Sequence, residues 1–429
     1  MQFLKDILGG VLAKNISKMF SLQIANYLFP LLTLPYLSRA LGPEGFGQMG
    51  FGMALVGYLS ILVDYGFNLS ATQVIVEHRN DHQLRSLTFW NVAACKSILF
   101  LLACLFFTIA LLSSKWSSDK VILLAAFPAV LGSLLNPVWY FQGMETMGGI
   151  AFCSICARLV TLPFLLFVSS SADAWLAVAI QTAATVLGSA IGLALVWRQK
   201  SIGWCTPSVA GIQKTFVDGW HVFISTVAIS AYTNTNVLVL GVLSGSEAVG
   251  RFVATDKVRQ AAQNSTSSIT QAVYPHINAL MFKDRDAAFR FLMKMIWIFG
   301  GMTFLMSLLI FLFASPLIQF ILGQQYLSSA NVLRLLAFLP FLVALSNIFG
   351  IQAMLSLGMQ KQFSSIVLWS AIINVCLIVP LSYLFKAEGA AASILITETV
   401  VTAQMGFALS RTEFVSTRAT WKKRTLGSC

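Results

Sequence analysis

The chain has 429 residues, of which 57% are hydrophobic and only 10% are charged, and its formal net charge is +12. A soluble globular domain carries about 25% charged residues, so this composition excludes an ordinary soluble enzyme or binding domain. It predicts an all-α integral membrane protein.

Apolar stretches of about 20 residues, the length that crosses a bilayer, follow one another along almost the whole chain. Short polar breaks separate them, and the pattern predicts about twelve transmembrane helices. The least apolar stretch, 250–275, is too polar to face lipid on every side. In chain order, the predicted spans are 19–37, 48–70, 87–112, 120–141, 150–169, 174–197, 217–241, 250–275, 292–314, 331–357, 364–385 and 389–410.

The positions of Lys and Arg predict the orientation of these spans. When the N-terminus is placed in the cytoplasm, most of the 28 Lys and Arg residues fall in cytoplasmic connections, in agreement with the positive-inside rule. The rule therefore predicts that both termini are cytoplasmic. It also accounts for the net positive charge without a nucleic-acid partner, so none is expected.

A Gly-x-Glu-x-x-Gly motif occurs twice, each time between two apolar stretches. Each position of the second copy lies 203 residues after the first (42 to 245, 44 to 247, 47 to 250). So long a period predicts two related six-helix lobes, 1–200 and 201–429, and not a solenoid. Related lobes in a very apolar chain are typical of a secondary transporter with alternating access. The two motifs consist of Gly42, Glu44 and Gly47, and of Gly245, Glu247 and Gly250.

The sequence lacks the motifs of several enzyme classes. It contains no nucleotide-binding phosphate loop, no G-x-S-x-G nucleophile motif and no H-E-x-x-H zinc motif. Its seven cysteines form no metal-binding pattern, and Cys153 and Cys156, in an apolar span, are expected to be packing residues. We therefore predict a transporter, not an enzyme, with no cofactor and no direct use of ATP.

Ionisable residues inside the predicted spans are candidates for function, because each costs about 2.5 to 3.5 kcal/mol on insertion scales and usually faces a cavity or a partner. The excess of basic residues predicts an anionic substrate, such as a phosphate or pyrophosphate, which Arg binds with two parallel hydrogen bonds. The acids are candidates for proton or sodium coupling, or else for charge balance. The basic residues are Lys96, Arg158, Lys257, Arg259 and Arg334, and the acids are Asp64, Asp256 and Glu398.

Two interpretations of the polar span 250–275 stay open. Asp256, Gln260, Asn264 and Ser268 recur every four residues and predict a face that lines water. The alternative is that Asp256 pairs with a Lys or Arg on a neighbouring helix. In the first half, Asp64 is the expected partner of Lys96 and Arg158. Arg334 suits either a ligand contact or a membrane anchor.

Several segments resemble a known family. Residues 36–47 resemble the first outer loop of the polysaccharide-unit flippases, which belong to the multidrug/oligosaccharidyl-lipid/polysaccharide exporter superfamily. Residues 136–145 are similar to the end of that family's fourth span, and residues 234–236 (Asn-Thr-Asn) resemble its seventh-to-eighth span region. The residues that carry the family motif are Gly42, Glu44, Gly47, Trp139, Gln142 and Asn234.

Within this family, the chain resembles the O-antigen flippases of Gram-negative bacteria. This resemblance implies twelve helices in two lobes in the inner membrane, and ion-coupled alternating access. The implied substrate is an oligosaccharide repeat on undecaprenyl pyrophosphate, moved from the cytoplasmic to the periplasmic leaflet with its lipid tail beside the first and eighth helices. A polymerase and a chain-length regulator are candidate protein partners. Related sequences often carry an acid where this chain has Asn236, so no coupling role is predicted there.

The sequence leaves two alternative functions open. A drug or cation antiporter of the same superfamily should have a more acidic cavity, and the basic excess argues against it. A membrane-embedded polysaccharide polymerase usually carries a large periplasmic loop with Arg and His. The longest outer loop here, roughly 315–330, is short and uncharged.

Overall fold

The computed structural model describes residues 11–112, 120–199 and 201–411, and within these ranges the chain forms helices and no β-strand. Contacts divide the chain after Gly241 into two compact units. The helices of the first unit are α1 Val11–Asp64, α2 Phe67–Glu77, α3 His82–Leu112, α4 Lys120–Ala126, α5 Pro128–Leu135, α6 Val138–Gly143, α7 Met147–Thr161, α8 Ala174–Arg198 and α9 Val209–Thr233.

Helix α10, Thr235–Lys283, begins before the unit boundary and continues into the second unit. Short 3₁₀ turns occupy Leu162–Phe167, Ser171–Asp173 and Gln324–Ser329. Two π-helical turns lie at Ile296–Gly300 and Ile348–Met354. The remaining helices of the second unit are α11 Arg285–Met295, α12 Gly301–Leu312, α13 Ala314–Ile321, α14 Ala330–Leu336, α15 Leu339–Asn347 and α16 Gln360–Ser410.

Nine stretches of the described residues are long and apolar enough to cross a membrane. The predicted all-α membrane class is therefore confirmed. The exact count of twelve stays a prediction, because three of the helices, α1, α10 and α16, are interrupted and α9 is not among the nine stretches.

The first glycine of each motif copy interrupts a long helix. Gly42 interrupts α1 with φ 64° and ψ 179°, and Gly245 interrupts α10 with φ 80° and ψ 175°. This region of backbone space is essentially restricted to glycine, so the motif is set by backbone geometry. A third break, at Lys386 in α16, has φ 50° and ψ −126°. All three breaks fall in predicted gaps between spans.

The unit boundary lies after Gly241, about forty residues beyond the predicted end of the first lobe. Helix α9, which would begin the second lobe, packs against α1, α2 and α3 of the first unit. The lobes 1–200 and 201–429 stay a prediction, because a helix that belongs to one half of a repeat can pack against the other half.

Small residues allow close helix packing in the first unit. Helix α8 packs closely against α7 and α5, and Ala177, Gly188 and Gly192 are buried on it. A Cβ atom at Gly192 would lie 2.4 Å from Ile150 of α7. Small residues have this role at many helix interfaces in membranes, where apolar burial alone does not drive association.

The second unit has a continuous apolar core. Ile277 of α10, Leu292 of α11, Ile348 after α15 and Met405 of α16 all belong to it, and each is at most 3% exposed. The core holds α16 against the helices that precede it. Since α16 carries Glu398 and α10 carries Asp256 and Lys257, this packing fixes the backbone around the acidic and basic candidates of this unit.

Candidate functional site

Lys96 lies at the centre of a buried polar cluster in the first unit. Its side chain is 2% exposed, and its ammonium donates to Asp64 Oδ1 at 3.0 Å. It also donates to the carbonyl oxygens of Ser133 at 2.8 Å and Asn136 at 3.4 Å. These carbonyls lie where α5 ends, and the Ser133 carbonyl also accepts a hydrogen bond from the backbone N–H of Asn136. The predicted Lys96–Asp64 pair is therefore confirmed.

This cluster uses all the hydrogen-bonding capacity of Lys96. A lysine ammonium has three donors, and Asp64, Ser133 and Asn136 accept one each. No donor is left for a substrate in this conformation. The geometry favours a structural task for Lys96, which joins α1, α3 and the end of α5.

The chain bends directly after Asp64, and α9 packs at this bend. Tyr65 has φ 44° and Gly66 has φ 76°. The Tyr65 ring stacks on Phe223 of α9 with centroids 4.5 Å apart, and it meets Phe216 edge-on at 5.2 Å. A Cβ atom at Gly66 would lie 2.6 Å from Val222. The buried ion pair and the middle of α9 are therefore neighbours.

Arg158 is half-buried on α7 and has no partner among the described residues. No hydrogen bond or ion pair involves its guanidinium there, and the predicted contact with Asp64 is not formed, since Asp64 pairs with Lys96. Its five N–H donors are therefore available to a ligand. The sequence found this residue by its depth in a span but assigned it the wrong partner.

The polar stretch of α10 forms hydrogen bonds along its own length. Asp256 Oδ1 accepts from Arg259 Nε at 2.5 Å, and Asp256 Oδ2 accepts from Gln260 at 2.7 Å. Arg259 also donates to Gln263. Asp256 is thus paired, but within its own helix and not with a neighbouring helix as the alternative interpretation expected. Lys257, half-buried beside it, makes no hydrogen bond or ion pair with any described side chain.

One predicted member of the polar face, Ser268, lies outside the residues whose side chains the structure describes. The prediction that this helix lines water therefore rests on the described part alone. In that part, Asp256 and Arg259 are 16% and 12% exposed, so their charges neutralise each other away from bulk solvent.

Two further candidates of the second unit have local partners. Arg334 donates to Asn331 at 2.9 Å on its own helix and to Ser315 at 3.4 Å. Glu398 of α16 is 4% exposed and accepts a hydrogen bond from Ser346 Oγ at 2.7 Å. Arg334 therefore holds α14 to α13, while Glu398 places a carboxyl group in the interior of the unit.

The family-motif residues have mainly structural surroundings. Glu44 and Gln142 are exposed, whereas Gly47 is buried. Trp139 is 3% exposed, and its carbonyl accepts a hydrogen bond from Thr72 at 3.0 Å. Asn234 ends α9. Of the motif residues, Gly42 lies at a helix break and Asn234 at a helix end.

Two arginines that were not predicted as site residues join loops on the side predicted to be cytoplasmic. Arg79 donates twice to the carbonyl of Gly143, at 3.2 and 2.8 Å, and pairs with Glu145 at 3.0 Å. Arg85 donates twice to the carbonyl of Ser201, at 3.1 and 2.7 Å. Each guanidinium thus fastens a loop to the region between α2 and α3.

The segment before α9 is held against α3. The backbone N–H of Gly203 donates to Ser86 at 2.9 Å, and Trp90 Nε1 donates to the Gly203 carbonyl at 3.0 Å. The Trp90 ring contacts Trp204 at 4.2 Å and Trp197 at 5.8 Å between centroids. Clustered tryptophans are typical of the membrane–water boundary, so this tryptophan cluster marks that level in the first unit.

Comparison with known proteins supplies relatives over nearly the full length. Residues 12–281 match the model of a family described as polysaccharide biosynthesis protein. The chain is 38% identical, over 92% of its length and 95% of the relative, to an Escherichia coli (strain K12) protein named as an O-antigen transporter. A Shigella dysenteriae protein named in the same way is 30% identical over 90% of this chain and 97% of its own length.

Solved structures share the fold at low sequence identity. Lipid II flippase MurJ, in an inward closed conformation, superposes with a TM-score of 0.73 at 12% identity, over 91% of this chain and 87% of that chain. An outward-facing multidrug resistance MATE family transporter of the MOP superfamily gives 0.56 at 17% identity, over 96% and 98%. At such identities the likeness concerns the fold alone.

Proposed function

The chain belongs to the polysaccharide biosynthesis protein family, and from that premise we propose that it is a lipid-linked oligosaccharide flippase. Its substrate is an O-antigen repeat unit on undecaprenyl pyrophosphate, which it moves from the cytoplasmic to the periplasmic leaflet of the inner membrane. Relatives named as O-antigen transporters, aligned along at least 90% of this chain, support the proposal.

The observation that carries the proposal is that one predicted cation in each unit makes no hydrogen bond or salt bridge among the described residues. Arg158 and Lys257 are half-buried, and among the described residues neither makes a hydrogen bond or an ion pair. A buried charge without a partner costs several kcal/mol. An anion that visits the protein during transport offsets this cost, and a pyrophosphate has oxygen atoms suited to both types of cation.

The other three predicted cations already serve the folded chain. Lys96, Arg259 and Arg334 are each hydrogen-bonded to neighbouring groups. We therefore assign anion contacts to Arg158 in the first unit and to Lys257 in the second, each within its own unit. The remaining three keep helices and helix ends in place.

Ion coupling is assigned to Glu398, and Asp256 is removed from the coupling candidates because Arg259 holds it as an ion pair. A carboxyl group that is 4% exposed changes the charge of the protein interior when it binds or releases a proton, and burial makes such a change sensitive to conformation. Ser346 keeps a hydrogen bond to Glu398. Asp64 is removed from this set because Lys96 holds it as an ion pair.

The proposal is tested by deleting the gene in its native host and measuring two pools. We expect surface polysaccharide to disappear while undecaprenyl-linked single repeats accumulate on the cytoplasmic leaflet. If single repeats still reached the outer leaflet, the protein would be a polymerase and the proposal would be wrong. Unchanged pools, in a host without a second flippase, would favour the drug or cation antiporter.

Charge reversal then tests the two anion contacts. Arg158→Glu and Lys257→Glu should abolish export while leaving the amount of protein in the membrane unchanged. The matched controls are Arg198→Glu and Lys361→Glu, since both side chains are exposed, and both variants should export normally. Full export by both reversed proteins would refute the assignment of these residues.

A further inference from the structure

Helix α9 differs from the other long helices of the first unit. It is not among the nine apolar stretches found in the described chain, although it is 25 residues long and corresponds to the predicted seventh span. One face packs on the first unit, where Phe216 and Phe223 meet Tyr65 and where a Cβ atom at Gly219 would lie 3.0 Å from the Tyr65 ring.

Between Lys214 and Ser225, the exposed side chains of α9 form two stripes. The polar stripe is formed by residues spaced four, three and four apart, which therefore lie on one side of the helix. The apolar stripe lies next to it, with exposed fractions of 69%, 49% and 43% along its length. The polar stripe is Lys214, Asp218, His221 and Ser225, and the apolar stripe is Val217, Trp220 and Ile224.

The charged members of the polar stripe are unpartnered. The side chains of Lys214, Asp218 and His221 make no hydrogen bond or ion pair within the described ranges, and Ser225 Oγ donates only to a backbone carbonyl of its own helix. Exposed groups of this kind need water or a polar ligand. The stripe is therefore unsatisfied by the protein itself.

These side chains lie deeper than the tryptophan cluster. The middle of α9 packs at the bend after Asp64, and Asp64 pairs with Lys96. Lys96 is six residues beyond Trp90 on α3, which corresponds to about 9 Å along the helix. Asp218 and His221 therefore lie well within the hydrocarbon thickness of about 30 Å.

A charged group at this depth cannot face lipid without cost. Insertion scales give about 2.5 to 3.5 kcal/mol for each such residue near the centre of a helix. The apolar stripe has the opposite preference, since its large side chains gain by contact with hydrocarbon. Helix α9 therefore lies at a border between water and lipid. Water contacts its polar stripe, and lipid contacts its apolar stripe.

We propose that the polar stripe of α9 binds the head group of the lipid-linked oligosaccharide during its passage. The Lys214 ammonium contacts the phosphates, and Asp218, His221 and Ser225 form hydrogen bonds with sugar hydroxyls. The polyprenyl chain stays in the lipid beside Trp220. This inference rests on the proposed function, because an amphipathic substrate matches an amphipathic border, and it adds residues that the sequence did not identify.

Cysteine accessibility tests the border directly. In a variant without the seven native cysteines that still exports, H221C and S225C are compared with V217C and I224C in inverted membrane vesicles. A membrane-impermeant thiol reagent should modify the first pair at least tenfold faster than the second. Adding a synthetic undecaprenyl-pyrophosphate-linked disaccharide should slow the modification of H221C and S225C severalfold. Equal rates for the two pairs would overturn the inference.

Transport of the same disaccharide in proteoliposomes separates this inference from the proposed function. K214Q should raise the KM at least fivefold, whereas K361Q, at an exposed lysine of α16, should not. If the wild-type protein moved the disaccharide without any protection of H221C, or if K214Q kept the wild-type KM, the inference alone would be refuted. A wild-type protein that neither moved the disaccharide nor protected a cysteine would refute the proposed function as well.

Discussion

Replacing Lys96 by methionine tests whether this residue is structural. The substitution keeps the length of the side chain but leaves the Asp64 carboxylate and the carbonyls of Ser133 and Asn136 without their donor. Removing one partner of a buried ion pair costs about 3 to 5 kcal/mol. Because the Asp64 side chain is 29% exposed, water reaches it in part, so we expect the lower end, about 3 kcal/mol.

The double variant K96M/D64N sharpens this prediction. Removing both charges abolishes the unpaired carboxylate, and replacing a buried pair by neutral groups is often close to neutral. We therefore expect the double variant to regain about half of the stability lost in K96M. The hydrogen bonds from Lys96 to the carbonyls of Ser133 and Asn136 are still lost, which explains why recovery is incomplete.

Thermal unfolding of the purified protein in detergent measures the effect. For a unit of about this size, each kcal/mol shifts the melting temperature by about 2–4 °C, so K96M should melt about 6–12 °C below the wild type. The control K361M, at an exposed lysine, should melt at the wild-type temperature. A K96M shift no larger than that of K361M would refute the reasoning. A stable double variant that still failed to export would show that Lys96 also contacts substrate.

Two further predictions concern backbone geometry and pH. Alanine at Gly42 or Gly245 should lower the stability by about 1–3 kcal/mol, because a residue with a Cβ atom is strained at the positive φ of both positions. Alanine at the helical Gly301, which has open space beside it, should instead raise the stability by up to about 1 kcal/mol. Equal melting shifts for G245A and G301A would contradict this. A hydrogen bond from Arg79, together with its charge, holds the pKa of Glu145 below its usual range. That contact stabilises the fold above the ordinary carboxyl pKa and is lost as the pH falls through the lowered value. The melting difference between wild type and E145Q should therefore shrink on acidification, and a difference independent of pH would count against the contact.

Features set by local chemistry were predictable from the sequence. The all-α membrane class followed from apolar length, and the resemblance to the exporter superfamily followed from motifs; the family match and relatives confirm that resemblance. Gly42 and Gly245 could be identified from the sequence because a backbone conformation restricted to glycine requires that residue at one fixed position. The pairing of Lys96 with Asp64 was predictable because a deep charge needs an opposite one.

Partner identity was harder to predict wherever several partners lie within reach. Arg158 was assigned to Asp64, although Lys96 occupies that carboxylate. One of the two interpretations paired Asp256 with a neighbouring helix, but its partner is Arg259, three residues away. Spacing alone could have suggested the second contact, since residues three apart meet on a helix. The pairing of Asp64 with Lys96 instead of Arg158 depends on how α1 and α3 pack, and a local sequence pattern carries no information about that packing.

The polar stripe of α9 was not predicted from the sequence, for a related reason. Asp218 and His221 are not among the candidates predicted from the sequence, because they lie near one end of the predicted span 217–241. Their depth became evident only from the packing of Phe223 on Tyr65, a contact between residues far apart in the chain. The depth of a side chain in the membrane depends on tertiary packing. The low mean hydropathy of α9 therefore does not show how deep its polar side chains lie.

The modest hydropathy of α9 has a consequence for biogenesis. A segment that carries Lys214, Asp218 and His221 gains little by leaving the translocation channel for lipid on its own. Tyr65 precedes α9 in the chain and offers Phe216 and Phe223 of that helix an aromatic surface in place of hydrocarbon. We therefore expect the insertion of α9 to depend on the earlier spans, so that the order of synthesis contributes to folding.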